Sequence, residues 1–185
     1  MNKHHDKQHF DFSIHKETRI GVLSDTHSYI NPSVTEHLKG CDLILHAGDV
    51  GSSNVIKQLH NICDTVVSVC GNNDTTEQWH SAEHEDLEQI PKIAEITLPG
   101  GEIAVTHGDE FFSEYEIWHA KLRERFPNVK AIVYGHSHRL ICDINQDPWV
   151  LNPGPAGNTR IQNHGISCLR IHAKKQKWDV EIIKL

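Results

Sequence analysis

The sequence predicts an α/β protein built from two packed, mixed β-sheets with helices on their outer faces. Three observations carry this expectation. The chain has 185 residues, 37% of them hydrophobic, which suits one domain with a substantial core. Its first part alternates short apolar runs with helix-like stretches, the pattern of a parallel sheet with helices outside. Its second part strings together strand-length runs joined by turns, the pattern of antiparallel pairing.

Residues 1–17 hold His4, His5, His9 and His15, four of the 16 histidines. This stretch reads as a mobile, solvated extension able to bind metal loosely. The domain proper then runs over 18–185. "RIGVLSDTH" is the first strand, rich in β-branched residues and too short for a helix. "NPSVTEHLKG" is a helix capped by Ser33, with Glu36 three residues on and a stop at Gly40. "DLILHAGDV" is the next strand, and "SSNVIKQLHNI" places Val55, Ile56 and Leu59 at helical spacing. "TVVSVCGNND" is the third strand. Asp74 then either caps a short helix, with Glu77 at the reciprocal position, or supports the neighbouring ligands from behind. "KIAEITL" and "GGEIAVTH" form a hairpin through Pro99, Gly100 and Gly101. "SEYEIWHAKLRERF" carries Ile117, Trp118, Leu122 and Phe126 as a helical stripe that stops before Pro127. "AIVYGHSH", "HRLICDIN", "PWVLNPG", "GISCLRI" and "WDVEIIKL" are the remaining strands.

Composition removes several classes. No apolar stretch approaches the roughly 18 residues of a membrane span, and the N-terminus lacks the apolar segment of a secretory signal. The formal net charge of −7 argues against broad nucleic-acid binding. No basic stripe with interleaved aromatics points to a nuclease either. Cys41, Cys63, Cys70, Cys142 and Cys168 form no CxxC pair, which fits buried thiols in a reducing, cytoplasmic setting. Self-association is left open.

The strands share one feature: each of five ends in a polar residue able to bind metal. These are Asp25 and His27, Asp49, Asn72, His107, and His136 with His138. In folds of this class ligands collect beyond the carboxyl ends of parallel strands, so all seven residues converge on one rim. Carboxylates, imidazoles and an amide without a thiolate suit Mn, Fe, Ni, Co or Zn in open coordination, unlike structural zinc. Seven ligands exceed one ion with an open position and suit two ions sharing a carboxylate, a recurring arrangement for phosphoester hydrolysis. The residual positive charge would attract a phosphate anion.

The ordered series "DTH", "GD", "GNND", "THG" and "GHSH" resembles the calcineurin-like metallophosphoesterases, from about Arg19 to the C-terminus. The short length and "LNPGP" after the last ligand are similar to the small YfcE-like phosphodiesterase subfamily. The resemblance implies an αββα sandwich and two divalent ions, manganese foremost. One ion would be held by Asp25, His27, Asp49 and His138. The other would be held by Asp49, Asn72, His107 and His136, with Asp49 as the bridge. A hydroxide between the ions would attack phosphorus in line, and the substrate would be a small phosphate ester. A phosphomonoesterase and a non-catalytic scaffold of the same fold, as in a retromer subunit, are the alternatives.

Asn73 stands where many members of the superfamily carry a histidine that protonates the leaving group. An amide cannot do this. His80 and His84 could substitute, or belong to an exposed polar helix in "EQWHSAEHEDLEQ". Asp109 replaces a second histidine common in relatives; it either orients a ligand histidine or begins the next helix. Asn152 and Gly154 form a tight turn whose counterpart in relatives lies near the site. Asn73 and Asn152 are therefore the candidate substrate contacts. Arg160 is the nearby cation, either facing phosphate or exposed on the surface.

Overall fold

The computed structural model of the chain describes residues 7–157 and 165–185. His4, His5 and Arg160 lie outside the described residues. Among the described residues, eleven strands form two sheets. The five-stranded sheet holds β2 (Glu17–Leu23), β3 (Leu43–His46), β4 (Val66–Ser68), β10 (Ser167–Lys174) and β11 (Trp178–Lys184), in the order β11-β10-β2-β3-β4. The six-stranded sheet holds β1 (Lys7–Asp11), β5 (Ile93–Leu98), β6 (Gly101–Thr106), β7 (Ala131–Val133), β8 (Leu140–Asp143) and β9 (Trp149–Pro153), in the order β1-β5-β6-β7-β9-β8.

Strands β2, β3 and β4 are parallel neighbours, as are β6, β7 and β9. Buried on both faces, β3 reads as an unbroken apolar run before its terminal histidine. The hairpin of β5 and β6 closes from Leu98 to Gly101 through Pro99 and Gly100, as the sequence predicts. The inner faces of the two sheets make the central core. Ile20, Val22, Leu43 and Leu45 meet Ile96, Ile103, Val105 and Leu151 there. Full burial of each such side chain contributes about 1.5–3 kcal/mol.

Helices α1 (Pro32–Leu38), α2 (Ser53–His60) and α3 (His84–Glu88) lie on the five-stranded side. Val34, Leu38, Val55, Leu59 and Leu87 pack there with Leu23 and Ile44. Helix α4 (Tyr115–Arg125) covers the other side through Trp118, Leu122 and Phe126 against Ile132 and Val150. The layers therefore run αββα. Among the described residues the cysteines form no disulfide, and no helix is long and apolar enough to cross a membrane.

Three local expectations change. The cap of α1 is Asn31, whose side-chain oxygen accepts from Ser33 N at 2.9 Å, and not Ser33. Pro32 explains the shift, since its missing N–H suits the first helical position. Ile117 is 49% exposed, so the buried stripe of α4 runs through Trp118, Leu122 and Phe126 without it. The third correction concerns the extension assigned to residues 1–17. Residues 7–11 are strand β1, paired in parallel with β5 from Lys7–Ile93 to Asp11–Thr97. Phe10 and Phe12 pack against the central core, and the Lys7 ammonium lies 2.7 Å from the Glu95 carboxylate. The histidines gave this stretch the look of a polar tail, but its aromatics alternate at the strand period.

Truncation through Asp11 is therefore expected to lower the unfolding free energy by about 1–3 kcal/mol. Urea denaturation followed by circular dichroism measures it. A mobile tail would leave the midpoint unchanged.

Candidate metal centre

All seven predicted ligands meet at one rim, because β2, β3, β4, β6 and β7 point their carboxyl ends the same way. The loops are stitched by main-chain bonds. Asp25 N donates to Gly48 O and His27 N to Asp49 O, both at 3.0 Å, and Gly135 N donates to His107 O at 3.1 Å. Residues here adopt an unusual backbone. Asp25, His27, Ser28, Asp49, His136 and His138 are the non-glycine residues with positive φ among the described residues, and five of these six are predicted ligands. Left-handed backbone costs about 1–3 kcal/mol per residue and persists where function needs it.

Glycine is required beside them. A Cβ on Gly71 would overlap the Asp49 carboxylate. One on Gly135 would overlap Ser24 Oγ and crowd Asp25 Oδ2, so neither position tolerates a side chain.

The donor atoms converge closely. His27 Nε2 faces His138 Nε2 at 3.3 Å, and His138 Nε2 lies 3.4 Å from Asp25 Oδ1. Asn72 Oδ1 lies 2.9 Å from His136 Nδ1 and 3.1 Å from His107 Nε2. Asp49 Oδ2 lies 3.4 Å from His107 Nε2 and 3.8 Å from His27 Nε2. Donors bonded at about 2.0–2.2 Å to a shared ion stand about 3 Å apart at neighbouring positions. The spacing thus matches adjacent ligands of a common ion. Asp25, His27 and His138 form one group whose ligand atoms lie within 4.8 Å of one another, and Asp25, Asp49 and His107 form another.

Burial sharpens the fit. Asp25 is fully buried and Asp49 2% exposed, yet Asp25 Oδ2 has no hydrogen-bond partner among the described residues. A buried carboxylate oxygen without a donor is costly unless a cation takes it. In the chain alone, burial would depress the basicity of His107, but Asp49 and Asp25 hold its pKa up at about 9. Burial also raises the pKa of Asp49, and the donors of His107 and Asn73 outweigh it, keeping the carboxyl well below its usual range. Hydrogen bonding to Asp25 raises the pKa of His138, whereas burial lowers that of His136. His107 Nδ1 lies 2.8 Å from Ala47 O, which fixes the ring and turns Nε2 toward the carboxylates.

The remaining predicted residues take other places. Asn73 N and Nδ2 donate to Asp49 Oδ1 and Oδ2 at 2.9 and 2.7 Å, so its amide grips the central carboxylate. Asn152 is fully buried. Its Nδ2 donates to Gly135 O at 2.7 Å and Ser137 Oγ at 3.1 Å, and its Oδ1 accepts from Gly154 N at 2.9 Å. With every polar atom engaged, it positions the His136 loop and is not a substrate contact. Asp109 is exposed and starts a 3-10 turn. His80 Nδ1 accepts from Ala82 N, and His84 Nε2 lies against Trp79 O; both engage local backbone.

Asp74 is no helix cap. Its buried carboxylate accepts from Val50 N, Gly51 N, Gly71 N and Trp79 Nε1 at 2.8–3.0 Å. It clamps the Asp49 loop to the Asn72 loop. Three further residues escaped sequence reasoning. His46 is wholly buried, its pKa pushed down to about 4 by that burial, and its Nε2 lies 2.9 Å from Thr26 Oγ1. Phe112, 64% exposed, stands edge-on to His136 with ring centroids 5.4 Å apart. Arg139 directly follows His138, and that adjacency to "GHSH" was the available signal.

Comparison with known proteins places the fold and the family. The profile of the calcineurin-like phosphoesterase superfamily domain matches residues 18–176. A probable metallophosphoesterase of Methanocaldococcus jannaschii is 29% identical over 160 residues, covering 84% of this chain and 77% of the relative. A phosphodiesterase of the same organism is 24% identical over 145 residues, covering 74% and 82%. The structure of vacuolar protein sorting 29 from Cryptosporidium parvum superposes with a TM-score of 0.72 at 17% identity, over 92% of this chain and 99% of that one.

Asp74→Ala is expected to cost about 3 kcal/mol or more, because it strands several buried donors of a charged acceptor. Loss of a simple cap would cost about 1 kcal/mol. Chemical denaturation separates the two values.

Proposed function

The chain belongs to the calcineurin-like phosphoesterase superfamily, and from that premise we propose that it is a phosphodiesterase working with two divalent ions. The convergence of seven oxygen- and nitrogen-donor residues, two of them buried carboxylates and five on left-handed backbone, carries this reading. Asp25, His27, Asp49 and His138 would hold one ion; Asp49, Asn72, His107 and His136 the other. The family resemblance would make Asp49 the carboxylate shared by both, and its Oδ2 lies 3.8 Å from His27 Nε2 and 3.4 Å from His107 Nε2. A donor set without thiolate suits Mn, Ni, Fe, Co or Zn, and the family resemblance puts manganese first among them. Such ions, when bound, supply the Lewis acidity that neutralises phosphoryl charge and makes water a nucleophile at neutral pH.

The chain's own residues do the rest. His107 is held by Ala47 O so that only Nε2 faces the carboxylates. Asn73 steadies Asp49 through two hydrogen bonds. Neither Asn73 nor Asn152 can donate a proton to a departing alkoxide, and His80 and His84 are turned to local backbone. Among the described residues none of these candidates supplies the acid, and we infer that the leaving group departs without one. A small phosphate ester in the cytoplasm is the substrate we infer, with a diester favoured over a monoester by the naming of a relative as a phosphodiesterase. A metal-binding scaffold without turnover is the second reading, and hydrolysis separates the two.

Without a general acid, rates across a series of aryl and alkyl diesters are expected to fall steeply as the leaving-group pKa rises. Steady-state kinetics with nitrophenyl, phenyl and methyl esters checks this, and a flat series would contradict it.

Asp49→Ala is expected to abolish turnover and loosen both ions. Elemental analysis after gel filtration reads the metal content. Retention of two tightly held ions would refute the bridge.

A further inference from the structure

Beside the centre lies a hollow of about 420 Å³, bordered by His138, Arg139, Leu140, Ser167 and Lys184. Its chemistry differs from the surface around it. The chain carries 25 acidic residues against 18 lysines and arginines, yet the described lining contains two cations and no carboxylate. Neither Arg139 nor Lys184 forms an ion pair with a described carboxylate, although eleven lysine, arginine or histidine side chains elsewhere do. Arg139 is also set in place. It follows the predicted ligand His138, its backbone N donates to Ser137 Oγ at 3.3 Å, and its guanidinium rests 5.2 Å from the centre of the Tyr115 ring. A stacked guanidinium keeps its N–H edge available for an oxyanion, and a planar fork suits phosphate.

We propose that the diester accepted at this centre carries a second phosphate, which seats in the hollow between Arg139 and Lys184. The proposal rests on the phosphodiesterase reading and deepens it. The reacting phosphoryl group lies at the donor cluster, and the second phosphate lies on the far side of His138. Residues from two chain segments, the loop after β7 and the end of β11, thereby select the substrate without touching the reacting atoms.

The test compares two esters with the same leaving group, thymidine 5′-(p-nitrophenyl phosphate) and its 3′-phosphorylated form, on the manganese-loaded full chain. The 3′-phosphate is expected to lower KM about tenfold, as a charge-assisted contact warrants. In Arg139→Gln and in Lys184→Gln the ratio of the two KM values is expected to shrink, and in the double variant to approach one. Both side chains are exposed, so folding is not at stake. Equal KM values in the wild type, or a ratio untouched in every variant, would overturn the proposal. If neither ester is cleaved, the phosphodiesterase reading fails separately. Calorimetric binding of the same intact esters then decides: about tenfold tighter binding of the phosphorylated form, lost in the double variant, sustains the seat, and equal binding removes it.

Discussion

The constraint on which the rest depends is the burial of two carboxylates, Asp25 and Asp49, at one rim of the fold. Ionised groups withdrawn from water are unstable unless charge or donors surround them. The chain answers this with His27, His107 and His138 around the carboxylates and two Asn73 donors on Asp49. Among the described residues, one oxygen of Asp25 is left without a donor. The site is thus a place where cations are wanted before any substrate arrives.

That demand shapes the backbone. Five of the seven predicted ligands adopt a left-handed conformation that costs free energy. Two packed sheets below the rim, with Leu43, Leu45, Ile96 and Val105 interlocked between them, supply the rigidity that keeps those turns from relaxing. The loops are also bound to one another. Asp74 joins two of them, Asn152 fixes a third, and the Trp118 indole donates to Gly108 O at 3.1 Å beside a fourth. Position is enforced from below by packing and from the side by hydrogen bonds.

The fold, and the convergence of the seven predicted residues on one rim, were legible because parallel strands leave a strong imprint: a β-branched run, then a small residue, then a polar one. What lay between strands was less legible. Asp74 sits before "TTE", and local sequence gave it a cap, whereas its partners Val50 and Gly51 lie more than twenty residues earlier. Asn152 looked like a contact because its neighbours suggest a turn near the rim; only burial reveals that its amide is spent on Gly135, Ser137 and Gly154. Phe10 of β1 and Phe12 just after it were hidden by the histidines around them. Long-range pairing of this kind has no local signature, so sequence patterns cannot report it.

Strand β1 has one more effect. It lies outside the stretch matched to the superfamily, and it moves the open edge of the six-stranded sheet from β5 to itself. The exposed members of that edge are Lys7, His9 and Asp11, alternating with the half-buried Gln8 and Phe10. A bare β5, "IAEITL", would offer an apolar, β-branched ladder to any copy of the chain drifting past. The added strand replaces it with a short border of mixed charge, the means by which natural sheets discourage edge-to-edge aggregation. Those few residues act as a guard on the chain's own kind, set at the edge of the sheet away from the chemistry.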